Sequence, residues 1–470
     1  MSVHSLQWGG RFQSAPDPAL LAFGSSLEDD LLLARFDVRG SQAHVRALFG
    51  GGTIAATTFE ALVSALDRVA AEIEDGSFRA FAMQGAFEDI HGAIDARVRE
   101  IDEDAGGWLH AGRSRNDQVA TTLALYAAER ARMGAARAAS IARALAGRAR
   151  SALGQGSVLA GTTHGQPAQP VLLAFWLQAA AEPFVRSARR FAALAREAME
   201  VMPLGSAALA GSCLPLDRVA AARYLGFARP SRNALDAVGT RDALFACADA
   251  WATCCVPAAR ISAEIVAWAS PLVGYVRIGD ASASGSSLMP QKRNPDIFEL
   301  VRAGTQRALA DARAAWAASA AIPLSYHRDL QECKRSAIAA IERADSLLSA
   351  FERAFADIEF DLENMERHAT AGYTLATDLA EALVRGGVDA RRAHRFVGER
   401  VAAAEERGRA FDASDLQALA AHLGTTTFDA PLDARASVLA KATEGSTAPA
   451  AVALALDALE RELSEYEALR

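Results

Sequence analysis

Residues 285–296 read Gly-Ser-Ser-Leu-Met-Pro-Gln-Lys-Arg-Asn-Pro-Asp. Two hydroxyls (Ser286, Ser287), two adjacent cations (Lys292, Arg293) and an Asn-Pro helix start fall within this short segment. Asn294 is a favourable N-cap, and Pro295 at the first helical position lacks an N–H that the helix would leave unbonded anyway. The free amides of that helix end, beside two positive charges, predict an anion site. A hydroxyl on a turn next to a carboxylate site suits proton transfer at the carbon beside that carboxylate. A second group suited to proton transfer is His164, inside the turn of residues 161–170 and ahead of a long helix, where a lone histidine is otherwise a surface or capping residue. Imidazole is the natural group to exchange protons near neutral pH.

Three further runs carry dense polar chemistry: residues 112–118 (GRSRNDQ), 163–170 (THGQPAQP) and 326–334 (YHRDLQECK). Together with GSSLMPQKRNP at 285–295 they resemble the argininosuccinate lyase family, within the fumarase/aspartase superfamily of lyases. Weaker matches lie at residues 37–44 (DVRGSQAH), 88–91 (EDIH) and 372–383 (GYTLATDLAEAL), so the resemblance runs from about Trp8 to residues 445–449. The chain departs from the family pattern at Ala111, Thr162, Ala234, Thr240, His327 and Cys333.

Lyases of this superfamily release fumarate or a close relative. They remove a proton beside a carboxylate and then expel nitrogen or oxygen from the next carbon. Deprotonation puts a second negative charge onto the carboxylate, so donors and cations must be in place beforehand. By resemblance Ser286 is the general base, assisted by Lys292, and His164 is the acid, paired with Glu299. The implied substrate is argininosuccinate, which carries three carboxylates, an amino group and a guanidinium. For its recognition the resemblance points to Ser26, His91, Arg115, Asn116, Thr163, Asn294, Tyr326, Gln331 and Lys334. A lyase of the same fold acting on another N-substituted aspartate is the alternative, with a catalytically silent crystallin-like homologue further off. No cofactor is implied.

These residues need long, rigid elements to hold them. Residues 117–153 contain no proline and are rich in Ala, Arg and Leu, which predicts one helix of about 55 Å. Residues 170–202, bent near Pro183, and 236–269, 296–322 and 329–367 supply four more long helices. Extended alternation is nearly absent, with residues 275–279 at most a short strand. The expected fold is all-α: a central bundle of five long helices per subunit, flanked by shorter-helix domains. Boundaries are placed near 112 and 367, giving domains 1–112, 113–367 and 368–470, with breaks at residues 386–387 and 424–427 in the last. Alanine-rich faces favour close antiparallel packing. The superfamily resemblance implies a homotetramer whose bundles merge and whose active sites are shared by three chains.

Composition narrows the partners. With 51% hydrophobic and 23% charged residues the chain reads as soluble and globular. A net charge of −8 gives no hint of nucleic-acid binding. The uncharged stretch 151–181 is broken by Gly154, Gly156, Gly161, Gly165, Pro167 and Pro170, so it does not span a membrane. Five cysteines without C-x-x-C or metal-ligand spacing predict reduced, mostly core thiols in a cytoplasmic protein with no metal site, and residues 1–16 carry no secretory signal pattern.

Overall fold

Aspartate starts many of the helices. Asp17, Asp89, Asp102, Asp217, Asp361, Asp389, Asp412 and Asp433 each accept a backbone N–H at an N-cap. Each thereby bonds donors that a first helical turn cannot bond internally. The structure, a computed structural model, describes residues 17–85, 87–425 and 428–466. Trp8, Thr426, Thr427 and the segment read for a secretory signal lie outside the described residues.

Five long helices form the body: Arg115–Gln155, Leu173–Glu197, Asp242–Trp268, Asp296–Ser319 and Leu330–Ala356. The 41 residues of the first span about 60 Å. Shorter helices precede and follow them, and among the described residues the strands pair only in twos. The fold is all-α, as its residue pattern predicts. Among the described residues one helix, Asp242–Trp268, is long and apolar enough to cross a membrane, and most of it is buried within the chain.

Several boundaries differ from the sequence expectation: the 170–202 and 296–322 helices end early, at Glu197 and Ser319, and three larger differences change an element. Residues 158–172 form a β-hairpin, Val158–Thr163 against Gln166–Leu172, so the next helix begins at Leu173 rather than at 170. The expected 236–269 helix is two, Ala234–Gly239 and Asp242–Trp268, because Asn233 caps the first and Thr240 at ψ 148 leaves the helical region. The last long helix stops at Ala356, and Ile358–Phe360 pairs antiparallel with Val276–Ile278, the short strand expected there.

Contacts divide the chain into two compact units. The first comprises Met1–Gly134, Arg190–Thr253 and Arg307–Arg343. Its N-terminal core is built from helices Ala34–Gly50, Ala56–Glu74 and Ile90–Ile101, with Leu62, Leu66, Val69, Ile90, Ile94 and Val98 buried together. Where its long helices meet, Phe191 packs edge-on to Trp251 at 5.2 Å. Gly134 admits that ring, since a Cβ there would stand 2.6 Å from Phe191. Tyr126 Oη donates to Glu342 Oε1 at 2.9 Å, and Arg130 pairs with the same carboxylate at 3.2 Å.

The second unit comprises Ala135–Arg189, Cys254–Gln306 and Ala344–Arg470. Arg137 bridges Asp345 and Glu352 at 3.2 Å each, and Ser140 donates to Glu352 at 2.6 Å. These polar contacts fix the register between two alanine-rich helices whose small side chains specify it weakly. A separate cluster of Leu379, Leu383, Ala393, Val397 and Leu419 organises the C-terminal helices. Cys247, Cys254, Cys255 and Cys333 are buried, Cys213 is exposed, and none of the five takes part in a disulfide.

Candidate active site

In the second unit, the loop that carries Ser286 is pinned at its base. Ser284 and Asn294 exchange backbone hydrogen bonds, Asn294 N–H donating at 2.9 Å and Ser284 N–H at 3.2 Å. Asn294 Nδ2 also donates to Ser284 Oγ at 3.3 Å, and that hydroxyl donates to Asp296. Inside the loop, Ser286 Oγ accepts from the backbone N–H of Met289 at 3.0 Å and of Leu288 at 3.3 Å. Two amide donors aimed at one hydroxyl oxygen favour its ionised form. Lys292 is exposed and makes no ion pair among the described residues.

The helix start after this loop corrects two expectations. The carbonyl of Pro295 accepts from Phe298 and Glu299 N–H, so the helix begins one residue later, at Asp296. Asn294 therefore braces the loop instead of capping the helix. Arg293 is not a free cation either: it pairs with Asp280 at 2.7 Å and donates to the Ile278 carbonyl at 2.6 Å. Asp296 and Glu299, both in the first turn, partly offset the positive helix end. Of the loop's two cations, Lys292 is the uncommitted one.

His164 occupies the tip of the β-hairpin in the same unit. Thr163 pairs with Gln166, leaving His164 and Gly165 as a two-residue turn with φ of +56° and +72°. Positive φ at both positions is the geometry of a type I′ turn, which matches the twist of the flanking strands. Histidine tolerates the left-handed region better than most residues, at some cost in strain. Leu172 N–H donates to Thr447 Oγ1 at 2.8 Å and ties the hairpin root to the 445–449 stretch. Thr163, His164 and Glu299 are all exposed, and among the described residues no hydrogen bond joins His164 to Glu299.

Seven of the proposed binding residues fall in the first unit, and buried carboxylates organise most of them. Lys334 Nζ pairs with Asp30 and donates to Ser26 Oγ at 3.3 Å, while Ser26 Oγ donates to Asp30 at 2.6 Å. Gln331 Nε2 donates to the Gly24 carbonyl at 3.1 Å. Arg115 pairs with Asp89 at 3.4 Å, and Asn116 Nδ2 donates to the Ala208 carbonyl at 3.0 Å. His91 Nδ1 lies 2.8 Å from Asp37 Oδ1, with both side chains buried. Tyr326 is half-buried, follows Ser325 at φ +78°, and burial raises its phenol above the ordinary value.

The electrostatics of this end are dominated by burial. Burial alone would raise Asp37, but the charge and hydrogen bond of His91, with Arg113 and Arg115, outweigh it and hold the carboxyl well below the usual range. Asp89 is lowered in the same way, chiefly by Arg115 against burial. Burial, reinforced by Arg113, draws His44 down to about 3 and His110 down to about 2. His44 Nε2 lies 2.9 Å from the carbonyl of Ala111, one of the positions where the chain departs from the family pattern.

Sequence reading missed Asp30, Asp37, Asp89 and Gln118. Asp37 had a signal: it shares the buried face of its helix with Ala34, Val38 and Ser41, and an acid on such a face must have partners.

Comparison with known proteins follows the same motifs. A family described as "Lyase" matches residues 10–309, and one described as "Argininosuccinate lyase C-terminal" matches residues 373–439. The chain is 39% identical over 466 residues to the argininosuccinate lyase of Mycobacterium leprae (strain Br4923), covering 98% of both chains. Among solved structures it resembles EDDS lyase in complex with formate (TM-score 0.79, 24% identity, 97% of this chain and 91% of the other). It also resembles the class II fumarase of Schistosoma mansoni (TM-score 0.71, 16% identity, 87% and 91%). At those identities the two structures show the shared fold alone.

Proposed function

The chain belongs to the argininosuccinate lyase family, and we infer from that membership that it cleaves argininosuccinate to L-arginine and fumarate, a step of arginine biosynthesis. The reaction is a base-initiated β-elimination across a carbon–nitrogen bond. Ser286 is the base: as alkoxide it takes a proton from the succinyl carbon beside a carboxylate. The Leu288 and Met289 amides on its oxygen are the observation that carries this assignment, because an unperturbed serine hydroxyl hardly ionises near neutrality.

The carboxylate next to the deprotonated carbon takes up the second negative charge. Lys292, Arg115, Asn116, Thr163 and Asn294 offer cation, amide and hydroxyl donors for it. The electron pair then closes the alkene, the bond to the guanidino nitrogen breaks, and His164 returns a proton to that nitrogen. Glu299 would orient the imidazole and stabilise its charged form, as carboxylates do for catalytic histidines. Ser26, His91, Tyr326, Gln331 and Lys334 hold the arginine half.

We place these groups in a homotetramer with sites shared between copies, working in the cytoplasm. In support, His164 and Glu299 are exposed and unconnected within one chain, whereas acid–base catalysis needs them dry and together. The three-domain division at 112 and 367 is kept as part of this proposal.

The test of function is product formation. Fumarate absorbance should rise with argininosuccinate, with stoichiometric arginine, and stay flat with adenylosuccinate. Faster turnover of a different N-substituted aspartate would overturn the substrate assignment.

A further inference from the structure

Arg115 stands at the start of the 115–155 helix, and its guanidinium lies between two acceptors. Its Nε pairs with Asp89 Oδ2 at 3.4 Å, and its Nη1 donates to Gln118 Oε1 at 3.3 Å. Behind Gln118 is Asp37. Gln118 Nε2 donates to Asp37 Oδ1 at 2.9 Å and to Oδ2 at 3.1 Å. Thr122 Oγ1 donates to Oδ1 at 3.2 Å, and His91 Nδ1 supplies the remaining contact at 2.8 Å. Asp37 is fully buried, so each of these partners substitutes for water.

A side-chain amide has one accepting end and one donating end. An ionised carboxylate only accepts, and a guanidinium only donates. Gln118 sits between the two, so its amide has one workable orientation, with Nε2 on Asp37 and Oε1 on Arg115. The reverse orientation would set oxygen against carboxylate and N–H against guanidinium. The same reasoning makes His91 Nδ1 a donor to Asp37.

From this relay we propose that Asp37 is a positioning residue of the substrate site: by fixing the polarity of the Gln118 amide it holds the Arg115 guanidinium where a substrate carboxylate is received. The inference rests on the reading of Arg115 as a carboxylate-binding residue. Asp37 itself does not touch substrate; it acts through Gln118, and it orients His91 by the same acceptor surface. Three elements are tied together by this one carboxylate: the 34–50, 90–101 and 115–155 helices.

Asparagine at position 37 preserves shape but offers an N–H to Gln118, which lets the amide reverse and turn its own N–H towards Arg115. Asp37→Asn in the full-length enzyme should raise KM for argininosuccinate, and the inhibition constant of fumarate, by about tenfold or more, with a smaller change in kcat. Adding Gln118→Glu in the same chain restores the order donor–acceptor–donor. The amide introduced at position 37 can donate to the carboxylate introduced at position 118, and that carboxylate can accept from Arg115. The double variant should therefore recover a substantial part of the lost KM. A KM unchanged in Asp37→Asn, or a loss that Gln118→Glu leaves unrepaired, would overturn the proposal. Arg115→Gln separates the two levels: if it leaves KM unchanged, the reading of Arg115 is what has failed. If it raises KM while Asp37→Asn does not, Arg115 keeps its role and the relay is wrong.

Discussion

Ser286 and Ser287 are adjacent and chemically identical, so only their surroundings distinguish them. Ser286 Oγ receives two backbone amides, whereas Ser287 is exposed and receives none among the described residues. Ser286→Ala should lower kcat at least about a thousandfold with the oligomer intact, while Ser287→Ala keeps most of the activity. Steady-state kinetics on both variants decide it, and the opposite ranking would move the base to Ser287. A second prediction concerns pH. The folded value of His44, about 3, lies below the ordinary 6.5, so the unfolded chain binds the proton first as pH falls. Stability from keeping His44 neutral is full above 6.5 and is lost as pH falls towards its folded value, at up to roughly 1.4 kcal/mol per pH unit. Melting temperature should decline on acidification below 6.5, and His44→Gln should flatten that decline; parallel profiles would contradict it. The candidate catalytic residues could be named at this scale because short motifs hold them. Asp37 was missed, because its partners His91, Gln118 and Thr122 lie on other helices and no local spacing records them.

The hairpin of residues 158–172 shows why an element can stay hidden. Thr162, Thr163, Gly165, Pro167 and Pro170 read as a turn-rich linker, and two prolines within one strand argue against pairing. In the structure Pro167 and Pro170 lie on the second strand of a two-stranded ribbon, whose outer edge leaves a missing N–H uncounted. The available signal was His164-Gly165, a two-residue loop with glycine in its second position, which is where a type I′ turn wants it. The five long helices, by contrast, were legible from composition and caps, with errors at ends where Thr240 and Asp357 leave the helix. The hairpin geometry makes its own prediction. Gly165 has φ +72° and open space around it, so Gly165→Val would strain the turn without a clash. The strain, about 1–2 kcal/mol for a left-handed residue, falls on the turn that aims His164. kcat should drop about tenfold or more with little loss of melting temperature. Unchanged kcat would mean that the turn does not aim the acid.

In a single chain the candidate site residues Thr163, His164, Lys292 and Glu299 are all exposed to solvent. A lyase that stabilises a doubly charged carboxylate needs those groups desolvated, because bulk water weakens each electrostatic contact severalfold. The proposed association of copies through the alanine-rich faces of the long helices would answer that need, and light scattering should report about four chains per particle. Assembly was expected from the resemblance and from small-residue faces, but nothing in one chain's sequence states which copies meet. The most direct measurement is complementation between two inactive proteins, His164→Asn and Ser286→Ala, mixed under conditions where subunits exchange. If base and acid of each site come from different copies, about a quarter of sites in a random one-to-one mixture draw both working residues, and fumarate release should recover to that order. Absence of recovery after verified exchange would place both groups in one chain's own site and contradict the account.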